Sequence, residues 1–365
     1  MSHVASDGPP HERRPEKHAS PAVAGAPSRP TRDPRIDTAK GVLIVLVVLG
    51  HLLEAIDHWQ AGAARVPLVL VYAFHMPAFV FLAGVTASRT DPWRRVATVL
   101  LLLVLFQPIY FAEWSLIESG KSFSWSEPFW ILWFLLAMAW WQALAPAIAR
   151  HPRAALALSF AAALGAGTVA AIGSPLALSR TLVFRPFFVL GMGWGGALIE
   201  RASRAGRGTR LALLAACAAA AAALLGADIG RGWLYASSGY DTLGVGPLEG
   251  MATRAALLGV AALATYTLLA WLPDTDTGGV TTAGRRSLGI YLLHGLVVMM
   301  LTPTLADVLD AHGALAAWAL CAVVVVGIVS LLATPAPDRW LRAVPAALIA
   351  RGRRLLGREG VRRGR

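Results

Sequence analysis

The sequence predicts an all-α integral membrane protein of about ten transmembrane helices with both termini in the cytoplasm, and three observations predict it. The first is composition: of 365 residues, 56% are hydrophobic and 15% charged, where soluble domains carry about 25% charge. The second is a set of ten apolar runs long enough to cross a bilayer, near 39–57, 67–87, 95–113, 129–149, 154–172, 181–199, 209–227, 252–272, 284–302 and 314–333. The third is a strict alternation of positive charge. Every second connection holds a cluster such as Arg89, Arg94 and Arg95, or Arg150 and Arg153, or Arg285 and Arg286. The connections between them hold isolated cations, Arg65, Lys121, Arg180 and Arg231, accompanied by acidic residues.

Positive residues in short loops stay on the cytoplasmic side, so the arginine-rich connections lie inside and both tails lie with them. Residues 1–34 carry seven prolines among mixed charges, without an apolar core after a basic start, and read as a disordered Pro-rich cytoplasmic tail rather than a signal peptide. Residues 35–333 are the membrane domain, and 334–365 form a basic cytoplasmic tail. The loops are short, which excludes a large catalytic domain outside the membrane and places any chemistry among the helices. The net charge of +12 flanks the spans and has no recognition fold around it, so anionic lipid rather than nucleic acid is the expected partner. Cys217 and Cys321 lie in apolar runs without partners at metal-ligand spacing, so neither a metal site nor a disulfide framework is expected.

Ionisable side chains inside a span cost roughly 2.5–3.5 kcal/mol on insertion scales, so each calls for a partner or a function. The first span carries Asp37, Lys40, His51, Glu54 and His58 on one stripe. Eleven residues from Lys40 to His51 return to nearly the same helix face and separate them by about 16 Å, which sets His51 near the middle of the membrane. Spacings of three and four bring Glu54 beside His51 and His58, close enough to orient an imidazole and raise its basicity. The alternatives are structural: Lys40 as a cytoplasmic anchor, Glu54 and His58 facing headgroups, His51 as a packing histidine.

The second span holds Tyr72, Phe74, His75, Met76 and Pro77, where the proline frees a carbonyl one turn back and opens a polar spot beside His75. In the ninth span Ser287, Tyr291 and His294 form a polar stripe on an otherwise apolar helix. Arg185, before Pro186 in the sixth span, either snorkels outward or supplies fixed positive charge to an anionic group. Trp133 and its aromatic neighbours could floor a carbohydrate site or simply pack. Gly191, Gly193, Gly195 and Gly196 mimic a nucleotide loop only in spelling, since no strand precedes them, and close helix packing is the expected use. Trp59 and Trp233 read as interfacial anchors.

The stretch Ile36-Asp37-Thr38-Ala39-Lys40-Gly41, followed by an apolar run to Gly50-His51, resembles the start of the membrane-bound acyltransferase family 3, and most closely its fucose 4-O-acetylase-like branch. Three further stretches carry the resemblance: Phe74-His75-Met76-Pro77, Leu132-Trp133-Phe134-Leu135, and Ser287 to His294. The likeness covers roughly 35–333. It implies a ten-span enzyme of a cell membrane, the bacterial plasma membrane by the family's habit. That enzyme moves an acyl group, commonly acetyl from acetyl-CoA, to a hydroxyl of a glycan, lipid-linked sugar or other envelope molecule. It also implies that Lys40 and His51 fill the paired basic and histidine positions, with no permanently bound cofactor and acetyl-CoA as donor substrate.

The residues suit that chemistry independently. Transfer from a thioester to a hydroxyl needs a base, a donor to the oxyanion and a surface for a polyanionic nucleotide. His51 serves as base or transient acyl carrier, with Glu54 holding its tautomer. His75, Tyr291 and His294 are further catalytic candidates. Lys40, Asp37, Arg185 and Trp133 are the candidates for binding. A proton-coupled transporter would also use buried histidines beside a carboxylate, although the second half shows no repeat of the first-span stripe such as inverted-repeat transporters carry.

Overall fold

The apolar runs resolve into helices in the computed structural model, which describes residues 1–3, 33–57, 59, 65–87, 90–118, 120, 122–169, 172–173 and 175–363. Residues 1–32 form a separate unit from 33–365; the Pro-rich tail lies almost wholly outside the described residues, as does His58. No strand occurs among the described residues. The helices in chain order are α1 (Pro34–Asp57), α2 (Arg65–Tyr72), α3 (His75–Val85), α4 (Pro92–Ile117), α5 (Trp133–Arg150), α6 (Pro152–Gly165), α7 (Leu178–Ser203), α8 (Arg207–Gly226), α9 (Arg231–Tyr235), α10 (Pro247–Trp271), α11 (Gly279–Arg285), α12 (Ser287–Leu332) and α13 (Pro335–Arg363).

Eight helical stretches among the described residues are long and apolar enough to cross a membrane. The two sequence-predicted spans that fall outside that set have physical reasons for it. Where a span over 154–172 was expected, α6 runs for 14 residues and ends in a 3-10 turn over Ala166–Thr168. At 1.5 Å per residue it covers about 21 Å, short of a hydrocarbon core. Where two spans were expected at 284–302 and 314–333, α12 forms one 46-residue helical run interrupted at Gly313, whose φ of 78° and ψ of 175° leave helical space. Glycine tolerates that conformation because it has no Cβ. The ninth run also starts later than expected, because α11 ends at Arg285 and α12 opens at Ser287. The basic stretch beyond 334 is helical, as α13.

Proline shapes the second span as its missing N–H requires. Pro77 cannot donate to Ala73, so the helix stops at Tyr72 and restarts at His75, and the two pieces together make one crossing. Three buried clusters result. One joins α3, α5, α7 and α10 around Phe81, Trp141 and Phe188. A second joins α1 and α2 to α12 around Ile44, Leu68 and Ile290. The third joins α4 and α5 to the first half of α12 around Phe106, Leu132 and Leu292. His51 projects from α1 where these three meet, touching Trp130 and His294.

The glycine-rich run of α7 does serve close packing. A Cβ on Gly191 would meet the Phe81 carbonyl oxygen at 2.0 Å, and one on Gly84 would meet the Phe188 carbonyl oxygen at 2.1 Å, so α3 and α7 touch backbone to backbone. Gly196 faces open space. Replacing Gly191 with leucine is therefore expected to destabilise the fold by about 1–3 kcal/mol through overpacking, whereas Gly196→Ala leaves it unchanged or slightly firmer; thermal melting of the detergent-purified protein checks both.

Candidate functional site

The break at Ala73–Phe74 creates the first element of the site. Val71 loses its regular helical partner, and its carbonyl accepts a hydrogen bond from His75 Nδ1 at 2.7 Å. Donation from Nδ1 fixes the tautomer and leaves Nε2 of His75 with its lone pair. His294 is held the same way: its Nδ1 donates to the carbonyls of Ile290 at 3.0 Å and Tyr291 at 2.8 Å, and its Nε2 is buried with no hydrogen-bond partner among the described residues. The His294 ring stacks on His51 at 5.5 Å between centroids, with an interplanar angle of 29°.

His51 and Glu54 meet as the helical spacing requires. His51 Nδ1 lies 3.4 Å from Glu54 Oε2 and 3.2 Å from the Tyr72 hydroxyl oxygen. Tyr72 donates its own proton to Glu54 Oε2 at 2.5 Å, so the Nδ1 proton of His51 faces two acceptors and Nε2 is the nitrogen left for chemistry. The other carboxylate oxygen accepts from the Tyr235 hydroxyl, which in turn accepts from Trp59 Nε1 at 3.0 Å. Glu54 thus takes three side-chain donors, from α1, α2 and α9, in a region where water is scarce. Trp130 packs edge-on against His51 at 4.9 Å and holds a φ of 40°, an uncommon value for a bulky residue that persists only where its surroundings impose it.

These groups line a cavity of about 90 Å3 that also takes in His75, Trp133, Arg180 and Tyr291. The Arg180 guanidinium sits 4.9 Å over the Trp133 ring and 5.7 Å from that of Tyr235. It is the cation of the cavity. A second cavity of about 150 Å3 contains Lys40, Thr86 and Ser287 and shares Val47, Met76 and Tyr291 with the first. Lys40 Nζ donates to Thr86 Oγ1 at 3.3 Å.

The structure therefore gathers His51, Glu54, His75, Trp133 and Tyr291 around one cavity, stacks His294 behind His51, and puts Lys40 in the neighbouring cavity. Asp37 is one turn from Lys40 but faces α11, with its Oδ2 3.4 Å from Arg285 Nε. Arg285 is also 2.7 Å from Asp276, whose carboxyl is held below its ordinary range by the Gly278 backbone N–H and by that arginine. Arg185 does not reach the cavity. Its Nε donates to Ser159 Oγ at 3.0 Å and its Nη2 to the Leu158 carbonyl at 3.1 Å, so it ties α7 to α6. The expected cation comes instead from Arg180, which opens α7 rather than lying in a loop. Five residues separate the two arginines, about 500° of helix, and that turns them to different faces.

Tyr291 differs from expectation in detail. Its hydroxyl donates to the Ile131 carbonyl, so its single proton is already committed. Trp59, expected at the interface, is part of the Glu54 network. Arg180 and Tyr235 are the members that sequence reasoning missed, while Tyr72 and Trp130 were noted in their spans without being joined to His51. Tyr72 had a signal, because it lies three residues before His75 in an apolar span. Tyr235, in the connection between α8 and α10, had none.

Residues 33–334 match the acyltransferase family 3, described as an acyltransferase domain. The chain belongs to this family. Two curated relatives are both called Nodulation protein NolL. The one from Sinorhizobium fredii is 31% identical over 47% of this chain and 51% of its own length. The one from Mesorhizobium japonicum is 27% identical over 47% of this chain and 51% of its own length. The matched region thus spans about half the length of either relative. No solved structure matches the chain.

The geometry separates the two arginines. Arg180→Met removes the cation lining the cavity and, on the acyltransferase reading proposed below, is expected to lower kcat by about 10²–10³-fold, the usual effect of removing one oxyanion donor. Arg185→Met is expected to lower thermal stability while leaving kcat per folded molecule within about twofold; parallel kinetics and melting curves check the pair.

Proposed function

We propose that this protein is an integral membrane O-acyltransferase that moves an acyl group, acetyl in the first instance, from acyl-CoA to a hydroxyl of a glycan, lipid-linked sugar or other envelope molecule. The observation that carries the reading is the His51 arrangement: a histidine in mid-membrane, its Nδ1 held by Glu54 and Tyr72, beside a buried cation and one shared wall away from a lysine-containing cavity. Membership of an acyltransferase family supplies the reaction class.

In this reading His51 Nε2 removes the proton from the acceptor hydroxyl as its oxygen attacks the thioester carbonyl. Arg180 faces the negative charge that develops on the carbonyl oxygen. Collapse of the tetrahedral intermediate breaks the carbon–sulfur bond, and the proton held by His51 passes to the departing thiolate. Glu54 stabilises the imidazolium between those two transfers without itself being protonated. If the acyl group instead rests briefly on Nε2, the same nitrogen and the same supports serve. Lys40, with the arginine-rich side of the membrane around it, attracts the phosphates of the donor.

The charge alternation supports ten crossings with both termini cytoplasmic: α6 with its following turn makes one, and residues 287–312 and 314–332 make two. Lys40 then lies toward the cytoplasm. The cavity under Tyr235 lies toward the opposite face, where an envelope acceptor is found. Trp130, Trp133, Tyr72 and Tyr235 offer ring faces of the kind that pack on sugar C–H groups. Two signs of the proposal follow for localisation and partners: the protein sits in the plasma membrane of a bacterium, and anionic lipid contacts its basic inner surface.

The test is transfer of labelled acetyl from acetyl-CoA to endogenous envelope glycans in membranes with matched protein amounts. His51→Ala is expected to lose about 10²–10⁴-fold in rate, the contribution of general acid–base catalysis, with abundance near that of the wild type. Lys40→Ala is expected to raise the donor KM by roughly tenfold, about 1.4 kcal/mol of binding. No label with wild-type protein, or equal label with His51→Ala, would sink the reading.

A further inference from the structure

We infer that Arg254, a buried arginine of α10 remote from the reacting groups, is a positioning residue: it anchors the outer segment 228–246 so that Tyr235 keeps its hydroxyl on Glu54. The inference rests on the acyltransferase reading and deepens it by naming what holds the outer wall of the site.

Arg254 is 3% exposed, in the second turn of α10. An arginine inside a span demands a reason, and its partners here are backbone groups rather than acids. Nη2 donates to the Ser238 carbonyl at 3.1 Å, and the guanidinium carbon lies 4.6 Å over the Tyr240 ring. Both contacts fall on the segment that joins α8 to α10, and Nη1 also reaches the Ala163 carbonyl of α6 at 3.5 Å, so the arginine fixes that segment against α6. Among the described residues no carboxylate lies within ion-pair distance of it.

The same segment is pinned around that arginine. Tyr240 donates its hydroxyl proton to the Leu164 carbonyl at 2.6 Å, and its backbone N–H to the Gly167 carbonyl at 2.8 Å. Its ring fits against Gly167 and Gly250, where a Cβ would come within 2.5 Å and 2.4 Å of ring atoms. Burial pushes the Tyr240 phenol above its ordinary range, so it keeps the proton it donates. Ser179 at the start of α7 donates to the Ala236 carbonyl at 2.7 Å.

These anchors bracket the turn that ends α9. Ala236 has a φ of 54°, a left-handed conformation that turns the chain sharply straight after Tyr235. Without tertiary restraint an alanine has little reason to stay there. Only three residues separate Tyr235 from Ser238, so a displacement at the arginine reaches the hydroxyl on Glu54 with little slack. A small cavity lined by Arg254 shares Tyr72, Phe184 and Leu234 with the His51 cavity, so the two sets of contacts lie against one wall. A bare structural arginine would stabilise α10 alone. This one fastens the element that delivers a donor to the catalytic carboxylate.

The test uses the full-length protein and two readouts. In the acyl-transfer assay, Arg254→Met and Tyr235→Phe are each expected to lower kcat by about tenfold while the donor KM stays within about twofold, since misplacement and not binding is lost. The double variant is expected to be no slower than the slower single variant, because both changes remove the same contact. Arg254→Lys is expected to restore little, because an ammonium cannot stack on Tyr240 and donate to Ser238 with a planar fork.

The second readout needs no catalysis. A Ser237→Cys reporter, in a background carrying Cys217→Ala and Cys321→Ala, is expected to react with an impermeant maleimide about fivefold faster or more when Arg254 is methionine, through local opening of the segment. If Arg254→Met fails to accumulate, Ser179→Ala removes the neighbouring anchor and is expected to act in the same direction. An unchanged maleimide rate overturns the anchoring, and multiplicative losses in the double variant overturn the link to Tyr235. Wild-type protein that transfers no acyl group refutes the reaction reading alone, because the maleimide rate still decides whether Arg254 holds the segment.

Discussion

The structure turns on one carboxylate set among packed side chains, with 22% of its side chain exposed. An unpaired charge in that setting is expensive, and Glu54 meets the requirement by collecting three donors, His51 Nδ1, the Tyr72 hydroxyl and the Tyr235 hydroxyl. Those donors come from separate elements. The demand for satisfaction therefore does structural work, because α1, α2 and α9 must converge for the carboxylate to be tolerated. It also does chemical work, since satisfying Glu54 through His51 Nδ1 orients the imidazole and leaves Nε2 unencumbered.

The histidines around it obey the same rule differently. His75 and His294 each donate Nδ1 to a carbonyl about one turn back, at a helix start in the first case and within a helix in the second. In both rings Nδ1 is committed to backbone carbonyls. His51 alone has a carboxylate as partner, and a carboxylate is what makes an imidazole a stronger base. Three histidines in one region thus divide into one partnered by a carboxylate and two partnered by backbone carbonyls. The sequence already set His51 apart through the carboxylate three residues on, whereas the carbonyl partners of His75 and His294 were not legible in it.

What the sequence made legible was whatever follows from periodicity within one helix. The His51–Glu54 pair, the Pro77 break beside His75, and the use of Gly191 for close packing all depend on offsets of one to four residues. The number of long helical runs was less legible, because a count of apolar windows does not register that α6 stops at Gly165, or that a single glycine divides α12. Across helices, legibility failed. Arg185, beside Pro186, was open to either an outward or an inward reading, yet it faces α6, and Arg180, five residues earlier, faces the cavity. Tyr235 and Arg254 depend on how a loop folds back over the bundle, and no local spacing encodes that.

The wall between the two cavities carries a further consequence of these choices. It consists of Val47, Met76 and Tyr291. Valine is stiff at χ1, and Tyr291 is fixed through its hydroxyl on the Ile131 carbonyl. Met76 is the exception, with an unbranched side chain of three rotatable bonds that repacks at little cost. Of the three shared residues Met76 is therefore the adaptable one, and the helix break at Ala73–Phe74 puts that side chain in the first turn of α3, next to His75. The break that Pro77 imposes, by withholding an N–H from the Ala73 carbonyl, therefore also sets the adjustable part of the partition.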